Sequence, residues 1–138
     1  MPPRPNLSRP EWADLIAAAP RLVLAWALLP LLGIARTRRW TNRAGLTGRA
    51  AEPFDAATWR RRAVALRRIG ARLPGCRCLA RSITLSAWLT RRGHANQLHI
   101  GITGTHATLR SHSWVESHGQ ILDDTPENIG QFKQITEI

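Results

Sequence analysis

The chain has 138 residues and a formal net charge of +11, and nineteen of its twenty basic residues are arginines. This length suits one domain with a modest core and excludes two independent cores. The charge favours an anionic partner, although an arginine-rich genomic composition would produce the same balance. Because Tyr is absent, Phe is scarce and the arginines are scattered, no stacking platform for nucleic acid is expected.

The N-terminal third of the chain is predicted to be helical and apolar. Four prolines within residues 1–10 indicate an extended lead-in, and a helix is expected from about Pro10 to Ala19. Residues 22–35 then form an uncharged run that is shorter than the roughly 20 residues of a membrane-spanning helix. We therefore predict a buried or interfacial helix in this run, interrupted near Pro30.

The segment after the apolar run predicts a boundary and a compartment. Residues 36–53 are rich in Arg, Thr, Asn and Gly and look like a mobile connection. An N-terminal helical region is therefore expected at 1–53 and a compact core at 54–138. Arginines occupy the place where a secretory signal would carry its cleavage site, and two cysteines separated by one residue do not easily form a disulfide. The expected compartment is the reducing cytoplasm.

Two helices are expected at the start of the core. Asp55 is placed to cap a helix over 56–72, which a Pro-Gly pair then stops. A second helix is predicted over 78–92, with Gly93 as its C-terminal cap. Apolar residues cover much of the surface of this second helix, so it should lie at the centre of the fold.

The periodicity then changes from that of a helix to that of a strand. Apolar residues alternate over 98–102, and further strands are expected at 107–116 and 120–124. His118 and Gly119 lie at a tight turn between the last two strands. One central helix packed against a small antiparallel sheet is an α+β fold.

A thiol, an imidazole and a carboxylate occur in an order that favours nucleophilic cysteine chemistry. Cys78 lies at the predicted start of the central helix, where unpaired N–H groups and the macrodipole favour the thiolate. His112 in the second strand can pair with this thiolate, and Asp124 in the third strand can orient the imidazole. Cys76 competes for the role, but it precedes the helix. The non-catalytic alternative for Cys78 is a small buried residue.

The choice of the carboxylate depends on the register of the hairpin. A three-residue loop centred on His118 would place Asp124 opposite His112. A two-residue loop would instead place Asp123 on the face of His112. The glycine after His118 suits the left-handed position of a bulged three-residue loop, which favours Asp124. His94, just past a helix end, is expected to face solvent.

No metal or cofactor is expected. Cys76, Cys78 and several histidines contain zinc-ligating atoms, but a Cys-x-Cys spacing without a second matched pair lacks the usual ligand arrangement.

Five short stretches together match a known family. They are CLARS at 78–82, WLTRRG at 88–93, LHIGI at 98–102, HSWVE at 112–116 and LDD at 122–124. In this order and spacing they resemble the leader peptidase of lasso-peptide biosynthesis, in its short form without a fused leader-recognition domain. That family lies within the transglutaminase-like cysteine protease superfamily, and the resemblance is specific over residues 59–124. Ser113 departs mildly from the Ala that is usual in the motif.

The resemblance implies a catalytic triad of Cys78, His112 and Asp124 in a transglutaminase- or papain-like core. It implies an enzyme that cuts the leader from a ribosomally made precursor peptide and so frees the amine of the core peptide for a separate ATP-dependent cyclase. The implied partners are the precursor, a small leader-binding protein and the cyclase.

Other functions remain open at this point. The same triad would support acyl transfer, in which an amine replaces water as the acceptor. A non-catalytic basic adaptor for nucleic acid or acidic membrane is the alternative from another class. For residues 22–35 the alternatives are core packing and a docking surface for the leader-binding protein, the cyclase or the inner membrane face.

Overall fold

The computed structural model describes residues 6–43 and 52–137, and within these ranges helices pack against a four-stranded antiparallel sheet. The elements are α1 (Arg9–Arg43), α2 (Ala56–Gly70), α3 (Cys78–Arg91), β1 (Gln97–Thr103), β2 (Arg110–Ser117), β3 (Gln120–Ile121), α4 (Pro126–Ile129) and β4 (Lys133–Glu137). The predicted α+β fold class is confirmed.

Helix α1 is much longer than the sequence predicted. Its break lies at Gly33, where φ is 75°, and not at Pro30. Residues 36–43 are helical, so the prediction of a mobile connection is wrong for them, and residues 44–51 lie outside the described ranges. The reason is tertiary packing: Arg38 donates to Ser86 of α3, and Thr41 is buried.

Helix α1 buries one face and exposes the other. Ala18, Leu22 and Ala25 are fully buried in the same apolar core as α2 and α3. Ile16 and Leu31 lie on the opposite side and are 72% and 78% exposed. By length and composition α1 could also cross a membrane. Because Ala18, Leu22 and Ala25 are part of the core, the face of α1 that contains them stabilises the fold.

Helix α3 is central, as predicted. It packs against α1 and α2 on one side and against β1 and β2 on the other. Trp88 and Leu89 of α3 are buried with Trp59 of α2, and the two indoles meet edge to face with centroids 5.8 Å apart. These contacts hold the last turn of α3 against α2, and the contacts of α3 with β1 and β2 place the helix over the sheet.

The sheet has the strand order β3-β2-β1-β4, and all neighbours are antiparallel. Ser117 pairs with Gln120, so the hairpin loop has two residues, and the prediction of a three-residue loop is wrong. His118 and Gly119 have φ values of 52° and 71°, and positive φ at both central residues is the requirement of a type I′ turn. Neither α4 nor β4 was predicted.

His94 is buried, which corrects the expectation that it faces solvent. Its ring meets Phe54 and Trp59 edge to face, with centroids 5.4 and 5.7 Å away. The side chains that follow α3 therefore extend the core toward α2, and burial lowers the pKa of His94.

Candidate active site

A cleft of about 430 Å³ lies between α2, α3 and the hairpin. Cys78, His112 and Asp124 all line it, so the structure brings together the three residues that the sequence analysis selected. They come from three different elements: the first residue of α3, the third residue of β2 and the segment after β3.

Cys78 is the first helical residue of α3. Arg77 before it has extended backbone and provides no side-chain cap, so the first N–H groups of the helix have no partner from this residue. Burial alone would raise the pKa of the Cys78 thiol, but hydrogen bonds from His112 and Ser113 lower it to about 7. The thiolate is therefore accessible near neutral pH.

His112 links the thiol to a carboxylate. Its Nε2 contacts Oδ2 of Asp124, which leaves Nδ1 for Cys78. The hydrogen bond to Cys78, helped by the one to Asp124, raises the pKa of His112 to about 9. Burial alone would lower this pKa, but the two hydrogen bonds outweigh it. The ring also lies 5.1 Å from that of Phe132, centroid to centroid. A protonated imidazole beside a thiolate is thus favoured.

Asp124 is held by its own set of donors. The backbone N–H of Thr125 donates to Oδ1 at 2.8 Å, and the Asn128 amide donates to both oxygens at 2.9 and 3.0 Å. Burial would raise the pKa of Asp124, but these bonds and the one from His112 lower it below its usual value. The carboxylate is therefore ionised and fixed in orientation. Asn128 lies in α4, a helix that was not predicted from the sequence.

Asp123 is not the partner of His112. Its Oδ1 accepts from the backbone N–H of Val115 at 2.9 Å and its Oδ2 from Ser82 at 3.1 Å, and burial raises its pKa. The pairing of β2 with β3 ends at Ile121. Beyond it, the N–H of Val115 in β2 donates to the side chain of Asp123 and not to a backbone carbonyl of β3. The next residue is thereby free to turn toward His112.

Ser113 contributes to the site beyond what the sequence indicated. Its hydroxyl is buried and donates to Ser82 at 3.0 Å, and its backbone N–H contributes a hydrogen bond to Cys78. Ser82 lies one turn after Cys78 on α3 and donates to Asp123. This chain of hydroxyls ties α3 to β2 one helical turn after Cys78. The only signal in the sequence was the departure from Ala at position 113.

Cys76 lies outside α3 and is half-buried. Burial raises the pKa of its thiol, in contrast to Cys78. Of the two thiols, the structure therefore activates Cys78. Within residues 6–43 and 52–137, no group of three or more His, Cys, Asp or Glu side chains is arranged to hold a metal ion.

The α+β domain has the type of fold found among cysteine proteases and acyltransferases. Its thiol at a helix start, beside a hydrogen-bonded histidine and aspartate, suits the nucleophilic chemistry of these enzymes. The family model of the transglutaminase-like superfamily matches residues 24–137, so the chain belongs to this superfamily. Searches of curated proteins and of solved structures found no match. The match begins within α1, and the predicted boundary at residue 53 stays a prediction.

Proposed function

We propose that the chain is a cytoplasmic cysteine peptidase that removes the leader from a lasso precursor peptide. The observation that carries this proposal is the hydrogen-bonded series of Cys78, His112 and Asp124 within one cleft. The choice of substrate is supported by the five ordered sequence stretches, in particular those around Cys78 and His112.

The first half of the reaction forms a thioester. The Sγ of Cys78 attacks the carbonyl carbon of the scissile amide, and the electron pair of the C=O bond moves to oxygen. The N–H of Cys78, which begins a helix and has no intrahelical acceptor, is placed to donate to this oxyanion. The electron pair of the oxyanion then re-forms the C=O bond as the C–N bond breaks, His112 gives its proton to the amide nitrogen, and the core peptide leaves as an amine.

The second half restores the thiolate. His112, now neutral, accepts a proton from water as the water oxygen attacks the thioester carbon. The C–S bond breaks as the C=O bond re-forms, and Cys78 is again a thiolate beside a protonated His112. The leader leaves as a carboxylic acid and loses its remaining proton to solvent, which gives the free carboxylate. Asp124 holds the imidazole in the tautomer and orientation that both steps require.

The proposed partners are the precursor, a leader-binding protein that presents it and the cyclase that uses the freed amine. Contact of residues 22–35 with an acidic membrane surface stays a prediction. What supports it is the exposed apolar side of this segment, which includes Val23, Leu24 and Leu31, together with the positive net charge.

Acyl transfer is the second candidate, because membership of the transglutaminase-like superfamily is compatible with either acceptor. The two reactions share the acyl-enzyme and differ only in whether water or an amine attacks it. Mass spectrometry of the released leader separates them, since hydrolysis yields a free carboxylate and transfer yields an amide.

The proposed nucleophile is tested with a lasso precursor peptide and a leader-binding protein, the partners of the proposed reaction. Replacing the thiol in Cys78→Ala should reduce leader release by about 10³-fold or more, because the acyl-enzyme no longer forms. Leader and core products are measured by liquid chromatography with mass spectrometry.

Cys76→Ala is the matched control, because it removes the other thiol of the same segment outside α3. This variant should keep most of the activity. Leader release at the wild-type rate by Cys78→Ala would show that Cys78 is not the nucleophile.

A further inference from the structure

We propose that the cleft beside Cys78 contains a binding site for an acidic side chain of the substrate, Asp or Glu, formed by Arg67 and Arg81. The inference rests on the proposed function, since it names the kind of peptide that the same cleft accepts. Both arginines line the cleft that contains the thiol.

Arg81 lies one helical turn from the nucleophile. It follows Cys78 by three residues on α3, and residues at this spacing have Cβ atoms about 5–6 Å apart on one helix face. Its aliphatic stem packs against the end of α2, where a Cβ added at Gly70 would lie 3.1 Å from Cδ of Arg81. The glycine makes room for the stem and so fixes the side chain beside the cleft.

The Nε of Arg81 is buried, and within the described ranges no hydrogen-bond acceptor contacts it. A buried donor without an acceptor is costly, and a guanidinium presents its donors in a planar fork that matches a carboxylate. Because Nε is buried, a carboxylate from a bound peptide would pair with the terminal nitrogens of this guanidinium, which no carboxylate of the described residues pairs with.

Arg67 approaches the cleft from the opposite wall. It follows Arg60 by seven residues on α2, and Ala63 and Val64 lie between them on the same face. The wall therefore has an apolar strip with a cation at each end, about 10 Å apart along the helix axis. Arg60 donates to the amide of Gln120, whereas Arg67 is exposed.

The carboxylates of the cleft do not neutralise these cations. Asp124 is engaged by His112 and Asn128, and Asp123 accepts hydrogen bonds from Ser82 and Val115. No ion pair joins Arg67 or Arg81 to a carboxylate of the described residues. The cleft that contains Cys78 therefore presents the positive charge of Arg67 and Arg81 before any substrate binds.

The first experiment measures anion preference at the thiol without requiring peptidase activity. The full chain is alkylated with iodoacetate, which is anionic, and with iodoacetamide, which is neutral, and tandem mass spectrometry quantifies modification at Cys78. The ratio of the two rate constants removes any change in thiolate content. Arg67→Gln and Arg81→Gln should each lower this ratio about two- to fivefold, as expected for loss of one nearby charge.

Arg72→Gln is the control, because it removes the same charge from an exposed residue that does not line the cleft. Its ratio should match that of the wild type. A ratio that stays unchanged in Arg67→Gln, or that falls equally in Arg72→Gln, overturns the proposal. Circular dichroism verifies folding, and exposed Arg67 keeps the test valid if the Arg81 variant does not fold.

The second experiment identifies the source of the anion. Each Asp or Glu within about five residues of the cleaved bond of the precursor is replaced by its amide. For the wild-type enzyme, one of these replacements should lower kcat/KM severalfold relative to the native precursor. The Arg67→Gln enzyme should cleave the native precursor and that amide-substituted precursor with equal kcat/KM. Equal cleavage of the acid and amide peptides by the wild type overturns the proposal. A normal alkylation result without any cleavage would instead overturn the peptidase function and leave the anion site standing.

Discussion

At Cys78, two opposing effects act on the thiol. Burial disfavours the charged form, whereas hydrogen bonds from His112 and Ser113 favour it and bring the pKa to about 7. The hydrogen bond between Cys78 and His112 also raises the pKa of His112 to about 9. Between these values the thiolate and the imidazolium coexist, and they titrate as a pair.

The activity should therefore have two pH limits. Below about pH 7 the thiolate of Cys78 becomes protonated and loses nucleophilicity, and above about pH 9 His112 loses the proton that the leaving amine needs. We expect kcat/KM for leader release to rise toward pH 7, to remain level, and to fall above pH 9. A profile with a single rise near the ordinary thiol value of about 8.5 would contradict the ion pair.

Replacement of the two neighbouring aspartates should have different effects, one mainly on kcat and the other mainly on stability. Asp124→Ala removes the group that orients His112 and should lower kcat by about 10²-fold or more. Its other donors, Thr125 and Asn128, lie nearer to solvent and can bond to water, so the melting temperature should fall less than in Asp123→Ala. Asp123→Ala leaves the Val115 N–H and the Ser82 hydroxyl without their acceptor. It should lower the melting temperature by several degrees, because a buried unsatisfied donor costs about 1–3 kcal/mol.

Calorimetry and leader-release kinetics on the same preparations distinguish these effects. If Asp123→Ala reduced kcat more than Asp124→Ala while both remained folded, Asp123 would be the orienting residue. The roles assigned to the two carboxylates would then be exchanged.

At the scale of the elements, α1 combines a core face with an exposed apolar face. Leu22→Glu places a carboxylate among fully buried residues and should cost at least about 3 kcal/mol of unfolding free energy. Ile16→Glu changes a residue that is 72% exposed and should alter stability by about 0.5 kcal/mol or less. Urea unfolding of both variants measures the difference. Equal losses would show that the exposed side of α1 is also structural.

The elements with a strong period were predicted from sequence, and those set by few residues were not. The predictions for α2 and α3 were accurate at the first residue and only two residues and one residue late at the end. They succeeded because apolar spacing and nearby helix-breaking residues define both helices. Short α4 lacks such a period and depends on the Thr125 side chain that caps it. β4 exists through its pairing with β1, a long-range contact that no local pattern indicates.

For the whole molecule, part of the positive charge has a structural use. Arg61 and Arg62 of α2 pair with buried Asp14 of α1, and Arg62 also lies over the rings of Trp59 and Trp88. Cations over indoles and around a buried carboxylate stabilise the packing of the helices. Composition alone could not separate these arginines from the ones that line the cleft.

By itself, the sequence determined the fold class, the start of α3 and the choice of Cys78, His112 and Asp124 as candidates, because periodicity, breakers and motif order are local properties. Only the tertiary structure decided how these side chains meet. The hairpin loop has two residues and not three, yet Asp124 still contacts His112 because the chain leaves the ladder after Ile121. Register, burial and the pKa of a thiol depend on residues distant in sequence, and a one-residue difference in a loop exchanges the faces of a strand.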